Sequence, residues 1–318
     1  MKQIQTHKIV IIGAGHVGTH CALSLMLQQE VDELVLIDIA EEKARMQALD
    51  LNDAVSNLPH RVRVRAGDYT DCTDAPIVIM AAGKTRLPGQ TRLDMFDDSI
   101  AIMNSIVGPL KNSGFDGILV SISNPADIVG DFLRKRLGLP KNEVFSTGTS
   151  LDSARLRRIL SEILGIDLHS IQAFSMGEHG DSQIVPVSRI TICGSPLSLY
   201  AAKHPQLADK LDAVYLSEQV REAGMQVVRG KGCTEFGIGM ACCDIIKAIF
   251  RDEQRILPVS TLLEGEYGQR GIHAGVPAII GKNGVERILE LPLTPDEQAA
   301  FAHSCDVIRG FSERADQM

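Results

Sequence analysis

His179 stands within Gly177-Glu178-His179-Gly180-Asp181, bracketed by glycines and flanked by acids, in a region that otherwise alternates apolar and polar residues. An imidazole titrates near neutrality, so a histidine in that setting suits a general acid or base. Asp152 and Arg155 fall three apart in the strongly periodic stretch Ser150–Leu164, which puts both on one helix face where they can meet a common site. From these residues alone the plainer readings stay open. A lone histidine is more often structural or solvated, and an Asp–Arg pair on a surface stabilises little. The run Lys84 to Thr91 (Lys-Thr-Arg-Leu-Pro-Gly-Gln-Thr) is too polar and turn-rich to pack a core. It suits a loop lying over a ligand crevice.

Such groups need a scaffold, and Lys8-Ile9-Val10-Ile11-Ile12-Gly13-Ala14-Gly15-His16-Val17-Gly18 supplies its centre. An apolar, β-branched run leads straight into G-x-G-x-x-G, and a helical pattern follows from Val17 to about Gln29. An unbroken apolar run suits a strand buried on both faces, as in a parallel sheet. Gly13 permits the tight turn, Gly15 lets backbone approach a pyrophosphate, and Gly18 lets helix and strand pack closely. Amides at the helix start and the helix dipole favour the diphosphate. A second apolar run, Leu34 to Ile37, ends in Asp38, 20 residues after Gly18, where an acid can hold the adenosine ribose hydroxyls. A carboxylate there repels a 2′-phosphate, so NAD is expected rather than NADP. The competing reading, a structural turn with a chance acid downstream, is disfavoured by the strand–turn–helix context.

With 318 residues the chain exceeds the usual single core, and two domains are expected, 1–148 and 149–318. Up to Gly148, strand and helix alternate: strands near 34–37, 61–66, 76–81, 117–121 and 144–147, helices near 41–55 and 92–112, and another starting at Ser123-Asn124-Pro125 with Pro in its first turn. This is the pattern of an α/β, doubly wound parallel sheet of the Rossmann kind. Beyond it come the helix Ser150–Leu164, short alternating segments to Ile192, helices near 208–228 and 235–250, hairpin-like strands from Ile256 to Ile288 and a terminal helix after Pro295. That half reads as an α+β substrate domain. A net charge of −8 argues against nucleic acid or an anionic membrane as partner. Seven cysteines without a C-x-x-C pair read as buried thiols in a reducing compartment, with neither a disulfide framework nor a metal site. The first strand starts too early for a signal peptide, and no apolar run approaches about 18 residues, so the cytoplasm is the expected location.

Taken together, Gly13-x-Gly15-x-x-Gly18 with Asp38, Gly89-Gln90-Thr91-Arg92, Ser123-Asn124-Pro125, Leu151-Asp152-Ser153-Ala154-Arg155, Gly177-Glu178-His179-Gly180-Asp181 and Lys231-Gly232-Cys233-Thr234 resemble the L-lactate/malate dehydrogenase family over essentially the whole chain. The resemblance implies NAD-dependent oxidoreduction of a small 2-oxo or 2-hydroxy acid. His179 would give its proton to the substrate carbonyl oxygen as hydride arrives, with Asp152 as counter-charge to the imidazolium and anchor of the ring. Arg155 would clamp the substrate carboxylate through two parallel hydrogen bonds. Arg92 would polarise the carbonyl once its loop closes, with Gly83 and Gly89 as hinges. Asn124 would orient the carbonyl or the nicotinamide side, and His16, Val17, Ala82 and Gly83 would line the cofactor site. Relatives are dimers or tetramers, so a homo-oligomer, a homotetramer included, follows, as does a place in glycolytic fermentation.

Members of this family separate their substrates largely by what the loop offers the substituent at C3. Arg86 stands where malate enzymes carry an arginine for a second carboxylate, and with Arg92, Arg155 and protonated His179 it would leave an excess of positive charge over pyruvate. Glu178 and the Lys231–Thr234 segment are lactate-like; Thr234 would fill space beside a substrate methyl, and Arg86 could extend into water. The balance favours pyruvate as the reducible partner, with oxaloacetate as the alternative. Fructose 1,6-bisphosphate activates many bacterial relatives through an arginine and a histidine; Arg157 matches the first, but Gln172 replaces the second, so weak or absent activation is expected. Among rivals, a non-catalytic NADH sensor has no reason to keep Asp152, Arg155, Arg92 and His179 together. An NAD-dependent glycosidase needs a metal, for which no paired Cys/His set is visible.

Overall fold

The structure is a computed structural model that describes residues 7–84 and 95–318. Its centre is β1 (Lys8–Ile12), all five residues buried, leading through the glycine turn into α1 (His16–Leu27). β2 (Glu33–Ile37) and β3 (Arg63–Ala66) lie parallel on one side of β1. β4 (Ile77–Met80), β5 (Ile118–Ser121) and β6 (Val144–Ser146) lie parallel on the other. The connecting helices are α2 (Glu41–Val55), α3 (Phe96–Asn112) and α4 (Ala126–Leu137). α2 buries Ala44, Ala48 and Leu51, one stripe at helical spacing, and starts with Glu41 and Glu42, which suit the positive end of its dipole. α4 ends at Gly138 in the left-handed region after Arg134, Lys135 and Arg136, a common helix stop. Pro125 occupies the position before α4 rather than its first turn, after a cis Asn124–Pro125 peptide.

α5 (Ser150–Leu164) opens the second half, followed by the short strands β7 (Ile171–Gln172), β8 (Thr191–Ile192) and β9 (Ser195–Pro196) in a small antiparallel sheet. Next come α6 (Leu197–Lys203), α7 (Ala213–Lys231) and α8 (Phe236–Phe250). α7 starts later than hydrophobic periodicity predicts because Asp212 caps it, accepting from the amides of Val214 and Tyr215. The long strands β10 (Arg255–Glu264) and β11 (Arg270–Gly281), with β12 (Gly284–Ile288), form antiparallel pairs, and α9 (Pro295–Asp316) closes the chain. β10 joins the edge of the parallel sheet, with Ser260 opposite Ser146 of β6. One nine-stranded sheet results, ordered β12-β11-β10-β6-β5-β4-β1-β2-β3. Alternation along each strand shows which residues pair with a core, but not that the late hairpin extends the early sheet.

Apolar side chains cover both faces. Ile9, Ile11, Leu34 and Leu36 pack towards α1, α2 and α8, while Val10, Val35, Val78 and Leu119 pack towards α3, α4 and α9. A third cluster, including Leu156, Leu160, Leu216 and Val220, locks α5 to α7. Each such side chain, fully buried, contributes roughly 1.5–3 kcal/mol. Among the described residues no helix is long and apolar enough to cross a membrane.

Candidate active site

A cleft opens at the carboxyl ends of β1, β4 and β5, where open α/β sheets place their ligands. Gly13, Gly15 and Gly18 shape one wall. Gly13 has φ +109°, and a Cβ on it would lie 2.5 Å from the Ala82 amide nitrogen. A Cβ on Gly18 would lie 2.1 Å from the Gly13 carbonyl oxygen, so only glycine lets α1 pack this close. Beside Gly15, at the start of α1, the nearest atom to such a Cβ is Lys43 Nζ at 3.9 Å, which leaves room for a ligand to meet the backbone. Asp38 directly follows β2 and accepts the Ala14 and Ala40 amides at 2.8 and 3.0 Å, bracing the turn. Asn124 also faces the cleft, and its Oδ1 is buried without a hydrogen-bond partner among the described residues. A helix start with an open approach and a buried carbonyl oxygen still to be satisfied fit a dinucleotide carrying a diphosphate and an amide.

The other wall comes from the second half. α5 turns Asp152 and Arg155 inward together, 2% and 9% exposed, so they are not the surface pair that spacing alone would allow. Asp152 bridges two groups: Oδ2 lies 2.5 Å from His179 Nδ1, and Oδ1 accepts from Arg155 Nη1 at 3.2 Å. A carboxylate can only accept, so Nδ1 carries the hydrogen and the ring orientation is set. The loop bearing His179 is pinned from three sides. Gly177 and Gly275 of β11 exchange backbone hydrogen bonds at 2.8 and 2.9 Å, and the Glu178 amide donates to Ser304 Oγ of α9 at 2.8 Å. The His179 amide donates to Asp127 Oδ2 of α4, also at 2.8 Å. The buried Glu178 carboxylate accepts from the Ser182 amide and hydroxyl, and a Cβ on Gly180 would collide with it at 2.1 Å.

His16, Val17, Ala82, Gly83, Asn124, Arg155, His179 and Thr234 thus line one cleft, with Asp152 directly behind His179. Arg86 and Arg92, with Gly89 and Gln90, lie outside the described residues. Several contributors escape a reading of the sequence. Gly224 of α7 faces Arg155, and a Cβ there would stand 3.0 Å from Nη1. A glycine within a helix costs about 1 kcal/mol, and that is the signal that could have found it. Asp127 looks like an ordinary acid in a first helical turn, and nothing local announces its burial. Glu235 draws Lys231 to itself and sits 3.4 and 3.7 Å from His20 and His16, tying the wall that carries Thr234 to α1.

Comparison with known proteins agrees with this architecture. Residues 7–146 match the model of the lactate/malate dehydrogenase NAD binding domain, and residues 149–314 that of the lactate/malate dehydrogenase alpha/beta C-terminal domain. L-lactate dehydrogenase of Fusobacterium nucleatum is 46% identical over 310 residues, covering 98% of this chain and 97% of that protein. The crystal structure of the minor L-lactate dehydrogenase of Enterococcus mundtii in its ligands-bound form superposes with a TM-score of 0.93 at 40% identity, covering 97% of this chain and 98% of the other. Cryptosporidium parvum malate dehydrogenase also superposes, with a TM-score of 0.90 at 28% identity, covering 99% and 100%. The chain belongs to the lactate/malate dehydrogenase family, the NAD-dependent oxidoreductases of small 2-hydroxy and 2-oxo acids.

Proposed function

We propose that the chain is an NAD-dependent L-lactate dehydrogenase that interconverts pyruvate and (S)-lactate. The observation that carries this reading is Asp152, held between the His179 ring and the Arg155 guanidinium at the wall opposite the glycine turn. NADH, when bound, supplies the hydride that the carbonyl carbon accepts. Gly13, Gly15, His16, Val17, Gly18, Ala82 and Gly83 would hold the dinucleotide, with Asp38 at the adenosine ribose and Asn124 at the nicotinamide side. Arg155 grips the substrate carboxylate with two parallel N–H groups and so fixes which face of the carbonyl is presented. His179 gives the proton on Nε2 to the carbonyl oxygen, leaving the alcohol, and Asp152 steadies the imidazolium before transfer. Arg92 is assigned to the carbonyl oxygen, where a cation stabilises developing negative charge. In the oxidising direction the same ring takes the hydroxyl proton.

Support for lactate over malate comes from Glu178 beside the histidine, Thr234 on the cleft wall and the names of relatives such as the Fusobacterium nucleatum enzyme. Arg86 is the residue that favours malate. Steady-state kcat/KM for pyruvate is expected to exceed that for oxaloacetate; an oxaloacetate preference above about tenfold, some 1.4 kcal/mol, overturns the assignment. Two domains meeting near residue 148, a cytoplasmic location and a homo-oligomer, dimer or tetramer, complete the proposal.

Regulation follows from the same half of the chain. Gln172 is exposed on β7, its side-chain oxygen accepting from Thr191 Oγ1 at 3.3 Å, and it brings no positive charge. Arg157 is half-buried, with Nη1 3.4 Å from the Ala173 carbonyl, and burial holds its guanidinium below the usual arginine range. Fructose 1,6-bisphosphate is therefore expected to change the KM for pyruvate by less than about twofold. A clear fall in that KM on titrating the bisphosphate shows otherwise.

A further inference from the structure

Asp127 takes no part in the chemistry described so far, yet its carboxylate holds the backbone of the residue on which that chemistry turns. It sits in the first turn of α4, two residues beyond Pro125, and is 2% exposed. Oδ2 accepts the His179 amide at 2.8 Å, while Oδ1 is buried without a hydrogen-bond partner of good geometry among the described residues. An acid placed where water cannot reach costs stability unless it serves something else. The charges of Asp152 from α5 and Glu178 from the same loop both act on it, and Asp152 is at the same time the partner of the His179 ring. Ser260 of β10 and Cys305 of α9 complete its surroundings.

We propose that Asp127 is a positioning residue for His179: it ties the main chain of the catalytic loop to the helix that follows Asn124, and its charge sets the field in which the His179 ring takes up a proton. This rests on the lactate dehydrogenase reading for the reaction, but not for the contact itself. Burial pushes the Asp127 carboxyl up to about 7, reinforced by Glu178 and Asp152 and opposed by the Ser260 hydroxyl and the His179 amide. The group therefore changes charge near neutral pH. Below that point a neutral Asp127 adds no negative charge beside the ring. Above it, the carboxylate favours imidazolium and strengthens the hydrogen bond to the His179 amide.

The test compares wild type, Asp127→Asn and Asp127→Ala as full chains. In wild type labelled with 13C-histidine, the His179 ring signal, identified by its loss in His179→Asn, is expected to titrate in two steps, one of them near pH 7. Asp127→Asn keeps an oxygen for the amide but carries no charge; its His179 is expected to titrate in one step, lower by about half a unit or more. In pyruvate reduction Asp127→Ala is expected to lower kcat about 10- to 100-fold with the KM for NADH within about threefold, and Asp127→Asn to restore most of that loss. A single-step wild-type titration, or His179 curves that superpose in all three proteins, overturns the proposal whatever the activities and whether or not a variant folds. An Ala variant with unchanged kcat also overturns it. Wild type inactive on pyruvate, but with the two-step titration intact, sinks the function reading and leaves the Asp127 contact standing.

Discussion

Substituting His179 by Asn is expected to lower kcat/KM for pyruvate by about 10³-fold, or some 4 kcal/mol of transition-state stabilisation, while NADH binds as before. The reason lies in what asparagine keeps and loses. Its side-chain amide can occupy the place of Nδ1 and still donate to Asp152 Oδ2, so the cleft stays intact. It has no proton to give a carbonyl oxygen at neutral pH, so the alkoxide that forms as hydride arrives goes unprotonated by the protein. The loop around His179 is also held through its own main-chain groups at Gly177, Glu178 and residue 179, and these contacts survive the substitution. Stopped-flow pyruvate reduction and NADH fluorescence titration separate the two quantities. Turnover within tenfold of wild type would mean that another group carries the proton.

The second large effect is expected at Arg155. Arg155→Lys keeps the charge, yet the KM for pyruvate should rise about 10²- to 10³-fold, equivalent to roughly 3–4 kcal/mol. Lysine offers a point charge on a flexible stem where the guanidinium offers a planar fork, and a fork is what a carboxylate matches with two parallel bonds. The surroundings are cut to the fork as well. Gly224 leaves room for Nη1 against α7, and Nη1 in turn donates to Asp152 Oδ1. Losing the guanidinium loses that bond, so kcat is expected to fall about tenfold in addition, through a less firmly held Asp152. Initial-rate kinetics over a wide pyruvate range measure both. A lysine variant with KM within about threefold of wild type would place the substrate carboxylate elsewhere in the cleft.

Much of this site is legible in the sequence because its parts obey local rules. β1 and the turn after it announce themselves through a hydrophobic run and glycines whose jobs differ, and the structure puts backbone against both Gly13 and Gly18. α5 runs from Ser150 to Leu164, as its periodicity predicts, and a three-residue spacing suffices to bring Asp152 and Arg155 onto one face. That this face is buried, and that His179 reaches it from 27 residues further on, is a property of packing between α5, α4 and β11. Periodicity carries no such information. Asp127 shows the same limit from the other side. Its position favours an exposed acid at a helix start, and only the arrival of the 177–182 loop converts it into a buried acceptor. The joining of β10 to β6 is equally silent, since a strand's alternation shows that it has two faces and not which neighbour it hydrogen-bonds.

That junction bears on how the molecule must be made. Synthesis proceeds from the amino end, so β6 emerges with its outer row of amides and carbonyls bare, and stays bare until more than a hundred further residues have followed, β10 beginning at Arg255. A naked edge on a twisted parallel sheet is an invitation to pair with a stranger. A half-made chain with that edge open is therefore expected to aggregate more readily than one whose late hairpin has paired with it.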